Sequence, residues 1–119
     1  MLVVDDDASI RLLCRVNLEL EGYRVLEATS IAEGRQVLEA EDVSVLLIDV
    51  HLGGQDGREL VRELRARNAR TRVALLTGTV DLRPDERAGA EAVLEKPFQL
   101  EALAGTVRDL ESRLDSPIQ

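Results

Sequence analysis

Acidic, hydroxyl and basic side chains follow four short apolar runs of the chain, each at the point where the run ends. These polar groups are Asp5-Asp6-Asp7, Asp49, Thr77-Gly78 and Lys96-Pro97-Phe98. If the apolar runs are parallel strands of one open sheet, their carboxyl ends meet at one edge, where ligands bind in such folds. We therefore expect these groups to converge, although they are far apart in the sequence.

The chemistry that such a cluster could perform follows from its charges. Carboxylates gathered in one place repel one another unless a cation or a proton compensates them. Mg²⁺ is suited to this position because it prefers oxygen ligands, keeps several waters and bridges carboxylates to phosphoryl oxygens. The ammonium group of Lys96 and the hydroxyl group of Thr77 could then hold a transferred phosphoryl group, with Asp49 as its acceptor.

The elements that would position these groups alternate short β-branched runs with longer amphipathic runs, which predicts an α/β fold with parallel strands joined by helices. The five predicted strands are Leu2 to Asp5, Tyr23 to Glu27, Val45 to Asp49, Val73 to Thr77 and Ala92 to Glu95. Most of them are too apolar for a half-exposed sheet. We expect the central strands to be buried on both faces.

Caps and apolar stripes mark the predicted helices. The first follows Ala8, with Asp7 as its candidate cap, and ends at Gly22, and Ser30 and Asp56 are the candidate caps of the next two. The apolar stripe of the first helix contains Ile10, Leu13, Cys14 and Leu18, and that of the last contains Leu100, Leu103, Val107, Leu110 and Leu114. Between Val80 and Gly89, Pro84 and several charges leave room for only a short fourth helix.

Length and composition predict one globular domain over residues 1–119, with 45% hydrophobic and 32% charged residues. The net charge of −8 and the lack of a Lys/Arg stripe argue against direct nucleic-acid binding. No run is long enough to span a membrane and no signal segment is visible, so we expect a cytoplasmic location. Cys14 is the only cysteine, which excludes an internal disulfide. The start at Met1, almost inside the first predicted strand, favours a piece excised from a larger regulator or hybrid kinase.

Four blocks in this order resemble the signature of response-regulator receiver domains: Val3-Val4-Asp5-Asp6, Leu46-Leu47-Ile48-Asp49, Leu75-Leu76-Thr77-Gly78 and Glu95-Lys96-Pro97-Phe98. The resemblance covers nearly the whole chain and implies a flavodoxin-like doubly wound sandwich with strand order 2-1-3-4-5. It implies that Asp5 and Asp6 position Mg²⁺ and that Asp49 is both a metal ligand and the phosphorylation site. It also implies that Thr77 and Lys96 contact the phosphoryl oxygens.

The same resemblance assigns further roles around the acceptor. The backbone carbonyl of His51 would be a metal ligand, and the amide of Gly78 would contact phosphate. The side chains of His51 and Thr79 would tune the lifetime of the phosphorylated state, and a cis peptide bond would join Lys96 to Pro97. Val93 occupies the position of the family's switch aromatic residue, so we expect the signal to leave the site by another route.

As a receiver domain, the chain would accept its phosphoryl group from a histidine kinase or a histidine-phosphotransfer protein. It would catalyse only its own phosphorylation and dephosphorylation, and a homodimer is compatible with this function. Leu12, Val16 and Leu20 form a second stripe on the first helix, which is either a docking face or part of a wide core stripe.

Two other functions compete with this interpretation. Asp5-x-Asp7-x-Ser9 resembles the nucleophile motif of haloacid-dehalogenase-like phosphatases, in which the first aspartate attacks phosphate. Such enzymes have an acidic pair after the lysine, whereas Glu101 and Asp109 here belong to the last amphipathic helix. The third hypothesis is a receiver-like module that is never phosphorylated and only docks a partner. It leaves the complete set of acids without a role.

Overall fold

The computed structural model describes residues 1–78 and 82–114, and these contain one five-stranded parallel sheet. Its strands are β1 (Leu2–Val4), β2 (Leu26–Ala28), β3 (Val45–Asp49), β4 (Arg72–Thr77) and β5 (Ala92–Glu95). The spatial order is β2-β1-β3-β4-β5, and every neighbouring pair runs parallel. The predicted flavodoxin-like fold and strand order are confirmed. The sheet reverses its connection direction between β1 and β3, so the carboxyl ends of these strands are the expected position of a site.

Four α-helices cover the sheet in the described part of the chain. They are α1 (Ala8–Leu20), α2 (Ile31–Ala40), α3 (Arg58–Ala66) and α4 (Leu100–Leu114). The predicted short fourth helix is reduced to a single 3-10 turn, Pro84–Glu86, so the last helix is the fourth rather than the fifth. Thr79 and the predicted stop at Ser116-Pro117 lie outside the described residues. None of the helices in the described ranges is long and apolar enough to cross a membrane.

The core lies on both faces of the sheet, as predicted from the apolar strands. Alternate residues of β3 point to opposite sides, and all five are buried. Leu46 and Ile48 pack among side chains of α2 and α3, whereas Val45 and Leu47 pack among side chains of α1 and α4. A strand covered on both faces has no exposed position for a polar side chain. Asp49 can therefore be placed only at the strand end.

The second strand begins three residues later than predicted. Tyr23 lies in the turn that ends α1, because its amide donates to the carbonyl of Leu18 and the intervening Gly22 has a φ of +93°. β1 is only three residues long, and its ladder with β2 starts where Leu2 pairs with Leu26. The short partner strand, rather than the β-branched composition of the segment, sets the bounds of β2.

The predicted helix caps are largely confirmed. Asp7 accepts a hydrogen bond from the Ser9 amide at 2.8 Å, and Ser30 accepts one from the Glu33 amide at 3.1 Å. Asp56 accepts one from the Arg58 amide at 2.9 Å, although the N-cap position of α3 is the next residue, Gly57. These side chains satisfy amides that have no partner within the helix.

The structure corrects one apolar stripe that the sequence predicted and decides between two alternatives for another. Leu100, predicted to line the last helix, is its first residue and is exposed, whereas Leu103, Val107 and Leu110 are fully buried. The second stripe of α1 is not part of the core, because Leu12, Val16 and Leu20 are 51%, 43% and 79% exposed. The alternative of a wide core stripe is wrong.

Arg65 holds the segment before β5 in place. Its guanidinium group donates to the carbonyls of Gly89 at 3.0 Å and Thr71 at 2.9 Å, and it pairs with the carboxylate of Glu91. Glu91 in turn accepts a hydrogen bond from the Val73 amide at 2.7 Å. Polar contacts therefore attach this segment to α3 and β4.

Candidate functional site

Three carboxylates meet at the carboxyl edge of the sheet. Asp5 follows β1 directly, Asp49 ends β3, and Asp6 begins the turn into α1. One oxygen from each lies within 4.8 Å of the others. Asp5 is fully buried and Asp49 nearly so, whereas Asp6 is exposed. The cluster therefore has a buried floor and one acid open to solvent.

Lys96 lies between the two buried acids. It follows β5, and its Nζ donates to Asp5 Oδ2 at 2.7 Å and to Asp49 Oδ2 at 3.1 Å. Its amide donates to the carbonyl of Thr77 at 2.7 Å, which ties the β5 end to the β4 end. The Lys96–Pro97 peptide bond is cis, as the resemblance implied. The ammonium group thus contacts side chains from the first and third strands.

The electrostatics of the cluster favour a charged lysine. Burial raises the pKa of Asp5, and the nearby charge of Asp49 acts in the same direction, while hydrogen bonds from Lys96 and the Asp7 amide oppose it. Burial alone would lower the pKa of Lys96, but its hydrogen bonds to Asp5 and Asp49 outweigh burial, so its pKa is raised. The ammonium group pairs with only two of the three carboxylates, so the cluster has an excess of negative charge.

This donor set suits a hard divalent cation. Carboxylate oxygens are the ligands that such ions prefer, and a divalent ion would balance the excess charge. The cluster also has an opening on its solvent side, because Asp6 is exposed. Asp5, Asp6 and Asp49, which the sequence predicted as metal ligands, are the residues that the structure brings together.

The loop after Asp49 forms a short hairpin beside the acids. His51–Leu52 pairs antiparallel with Gln55–Asp56. Gly53 and Gly54 form its tip with φ of +51° and +84°, as in the two-residue turns that favour glycine. We call residues 51–56 the hairpin.

Two amides of the hairpin contact the carboxylates. The His51 amide donates to Asp49 Oδ1 at 3.1 Å, and the Gly53 amide donates to Asp6 Oδ2 at 3.2 Å. The side chain of His51 is exposed. The sequence predicted a role for the His51 carbonyl, and the structure adds a contact of the His51 amide with Asp49.

Thr77 and Gly78 lie at the end of β4, the strand next to β3. Thr77 is fully buried at the last position of the strand, and Gly78 is exposed immediately after it. In the ladder between the two strands Asp49 is paired with Leu76, so Thr77 is one residue beyond the level of the acceptor. Thr79, the other predicted modulating residue, is not among the described residues.

Sequence reasoning missed two residues that touch the acids. Gly57 packs so closely on Asp49 that a Cβ atom added to it would lie 2.0 Å from the Asp49 carbonyl oxygen. Arg11 Nη1 donates to the Asp5 carbonyl at 2.7 Å. The glycine before α3 could have been recognised as a close approach. Arg11 gave no signal, because nothing in a single sequence distinguishes it from a solvated arginine of the first helix.

Comparison with known proteins matches residues 1–108 to the family described as "Response regulator receiver domain". The chain is 36% identical over 116 residues to the aerobic respiration control protein ArcA of Escherichia coli. The aligned region covers 95% of this chain and 48% of ArcA. The chain therefore spans about half the length of that relative.

Solved structures of the same kind resemble the fold closely. A CheY-like response regulator receiver domain protein from Methanospirillum hungatei has a TM-score of 0.88 at 28% identity, over 96% of this chain and 94% of that one. Response regulator protein TrrA from Thermotoga maritima, in complex with Mg²⁺-BeF, has a TM-score of 0.83 at 28% identity, over 92% of this chain and 96% of that one.

Proposed function

Because the chain belongs to the response regulator receiver domain family, a family of two-component signalling, we propose that Asp49 is its phosphoacceptor. The observation that supports this assignment best is the position of Lys96, whose Nζ donates to both Asp5 and Asp49. An ammonium group that already contacts the acceptor carboxylate is within reach of a phosphoryl group formed on it. Asp49 is also the acid that ends the central strand β3.

In the proposed reaction a carboxylate oxygen of Asp49 bonds to phosphorus while the phosphorus–nitrogen bond of a phosphohistidine breaks. The imidazole nitrogen of the donor keeps the bonding electrons. Lys96 then pairs with an oxygen of the transferred group, and the Thr77 hydroxyl and Gly78 amide contact its other oxygens. These groups are preorganised by their positions at strand ends, which is how such reactions are accelerated.

Mg²⁺ is the proposed cofactor of this reaction. Asp5, Asp6, Asp49 and the backbone carbonyl of His51 would hold it, and it would neutralise charge that develops on the phosphoryl oxygens. The excess negative charge of the acid cluster supports this proposal. The presence of Mg²⁺-BeF in the similar protein TrrA is consistent with it.

The proposed donor is a histidine kinase or a histidine-phosphotransfer protein, the partners with which receiver domains interact as a family. The domain would catalyse only its own phosphorylation and dephosphorylation, act in the cytoplasm with its kinase, and change the activity of a partner or an attached domain. His51 and Thr79 would set the lifetime of the phosphorylated state.

The phosphatase alternative is less compatible with the site. Its nucleophile would be Asp5, but this side chain is fully buried, whereas 9% of the Asp49 side chain is exposed. The docking-module alternative gives no reason for three acids and a lysine to meet in one place. Release of phosphate from p-nitrophenyl phosphate that depends on Asp5 but not on Asp49 would revive the phosphatase hypothesis.

The test is to incubate the protein with acetyl phosphate and Mg²⁺ and to look for one added phosphoryl group by mass spectrometry. The adduct should be stable in acid, labile in alkali, dependent on Mg²⁺ and absent from Asp49→Asn. Asp7→Asn is the matched control, because Asp7 directly follows Asp5 and Asp6 but its side chain caps α1, where asparagine caps equally well. The hydrogen bond from Asp7 to Asp5 is made by the backbone amide, which the substitution keeps. No Mg²⁺-dependent adduct on the wild-type protein, or an unchanged adduct on Asp49→Asn, would reject the assignment.

A further inference from the structure

Arg58 connects the hairpin to the 3-10 turn before β5, where its contact Glu86 lies 28 residues further along the chain. Its guanidinium group pairs with the Asp56 carboxylate through both oxygens, with Nε–Oδ1 and Nη2–Oδ2 distances of 2.9 Å. Its remaining terminal nitrogen, Nη1, donates to the Glu86 carbonyl at 2.8 Å. One side chain therefore holds the last residue of the hairpin and the end of the 3-10 turn before β5.

The hairpin side of this connection leads to the acids. Asp56 is paired with His51 in the antiparallel ladder, and the His51 amide donates to Asp49. The hairpin tip is attached to Asp6 through the Gly53 amide. A change in charge or coordination at Asp49 or Asp6 therefore acts on backbone amides of the hairpin that carries Asp56.

The other side is a compact turn that is held by hydrogen bonds of its own. The Glu86 side chain accepts a hydrogen bond from the Arg83 amide, and the amides of Glu86 and Arg87 donate to the carbonyls of Arg83 and Pro84. The Ala90 amide donates to the Arg87 carbonyl. Arg58 binds this turn by a backbone carbonyl, so the contact does not depend on the identity of the Glu86 side chain.

An arginine is required for this geometry. A planar guanidinium group can use one edge for a carboxylate and still present another N–H group to a carbonyl, whereas a lysine ammonium group has no fixed fork. The pair is only partly exposed, at 22% for the Arg58 side chain and 33% for that of Asp56. It is therefore less screened than a surface ion pair.

We propose that Arg58, held by Asp56, is a positioning residue that couples the state of the Asp49 site to the conformation of residues 83–90. The inference rests on the proposed function of Asp49. Such coupling is a difference in free energy between two states and is demonstrated by measurement on variants rather than by the contacts alone.

The test uses beryllofluoride and Mg²⁺ as the probe of the site and measures backbone amide exchange with and without them. The exchange of the Glu86, Arg87 and Ala90 amides reports on the turn, and that of the hairpin reports on the site. In the wild-type protein the probe should change both. In Arg58→Met it should still change the hairpin, but its effect on residues 83–90 should fall by about fivefold or more.

Two further variants separate coupling from general damage. Arg35→Met is the matched control, because Arg35 forms a similar two-point pair with Glu63 that joins α2 to α3 instead. It should leave the probe's effect unchanged. Asp56→Asn should reduce the effect as Arg58→Met does, and the double variant should lose no more than either single variant.

Each result bears on a separate claim. If beryllofluoride and Mg²⁺ do not bind the wild-type protein, the proposed function of Asp49 fails and the coupling fails with it. If they bind and residues 83–90 do not respond, the coupling alone is wrong. If Arg58→Met transmits the full effect, or Arg35→Met loses it equally, Arg58 is not the connecting residue.

Discussion

Replacing Gly57 with alanine should damage both stability and the acceptor. A Cβ atom at this position would lie 2.0 Å from the Asp49 carbonyl oxygen and 3.1 Å from Ile48 Cγ1, and Cβ contacts under 3.0 Å are essentially absent from proteins. The backbone must therefore move by about 1 Å to admit the methyl group. The φ of −58° and ψ of −22° at Gly57 are acceptable for alanine, so the contact, rather than backbone strain, decides the outcome.

The size of the effect follows from two opposing contributions. Overpacking of a close contact costs about 1–3 kcal/mol. Replacing glycine beside a helix returns at most about 1 kcal/mol. We expect Gly57→Ala to lower the free energy of unfolding by about 1–2 kcal/mol. Because the displaced carbonyl belongs to Asp49, its phosphorylation by acetyl phosphate should slow by roughly 100-fold.

The assay is urea unfolding followed by far-ultraviolet circular dichroism, since the chain has no tryptophan. Gly105→Ala is the matched control: Gly105 lies inside α4 with open space around it, and the variant should gain about 0.5–1 kcal/mol. Gly34→Ala should lie between the two, because its added Cβ would meet Leu60 and Val4 side chains at 3.1 and 3.2 Å. A Gly57→Ala protein as stable as Gly105→Ala, with normal phosphorylation, would refute the reasoning.

Three other outcomes are expected. Lys96→Met should lose the adduct on Asp49. Without Mg²⁺ it should be about 2 kcal/mol less stable, because two carboxylates lose a hydrogen-bond donor. Urea unfolding should show that added Mg²⁺ partly reverses this loss. Burial raises the pKa of the Cys14 thiol to about 12, so the native protein should resist a thiol reagent at pH 8 that modifies the urea-unfolded chain at once; rapid native labelling would contradict this. The hydrogen bond from Arg58 holds the pKa of Asp56 below its usual value. The stabilisation by this ion pair is therefore fully present above an unfolded-state pKa of about 3.9 and is lost as pH falls through the lower folded-state pKa. The difference in unfolding free energy between wild type and Asp56→Asn should accordingly shrink from pH 7 to pH 3, and a constant difference would show that the ion pair contributes nothing.

The sequence predicted the sheet and the meeting of the acids because these depend on simple rules. The five apolar runs joined by helices predict a parallel sheet, and the resemblance to receiver domains implies its strand order. Such a sheet places Asp5, Asp49 and Lys96 at one edge. The caps at Asp7 and Ser30 were readable because short polar side chains satisfy helix amides locally. These features are set by residues that are neighbours in sequence or by the topology as a whole.

The remaining features depend on contacts that no local pattern encodes. The start of β2 is set by its three-residue partner β1, and the closeness of Gly57 to Asp49 is set by the angle at which α3 leaves the hairpin. The hydrogen bond from Arg58 to the Glu86 carbonyl joins a side chain to a backbone group, so the identity of residue 86 does not indicate it. A single sequence shows which groups are present but not which distant carbonyl one of them reaches.

The hydrogen bond between Lys96 and Asp5 spans 91 residues of sequence, which makes the site one of the most non-local contacts in the fold. Contacts of this kind form late, since the intervening chain must first be ordered. During synthesis the acids emerge long before the lysine that compensates them. A chain lacking β5 would carry Asp5 and Asp49 with no internal cation between them. Competence to receive a phosphoryl group would then arise only once β5 and Lys96 have joined the sheet, so that shorter chains would stay silent in signalling.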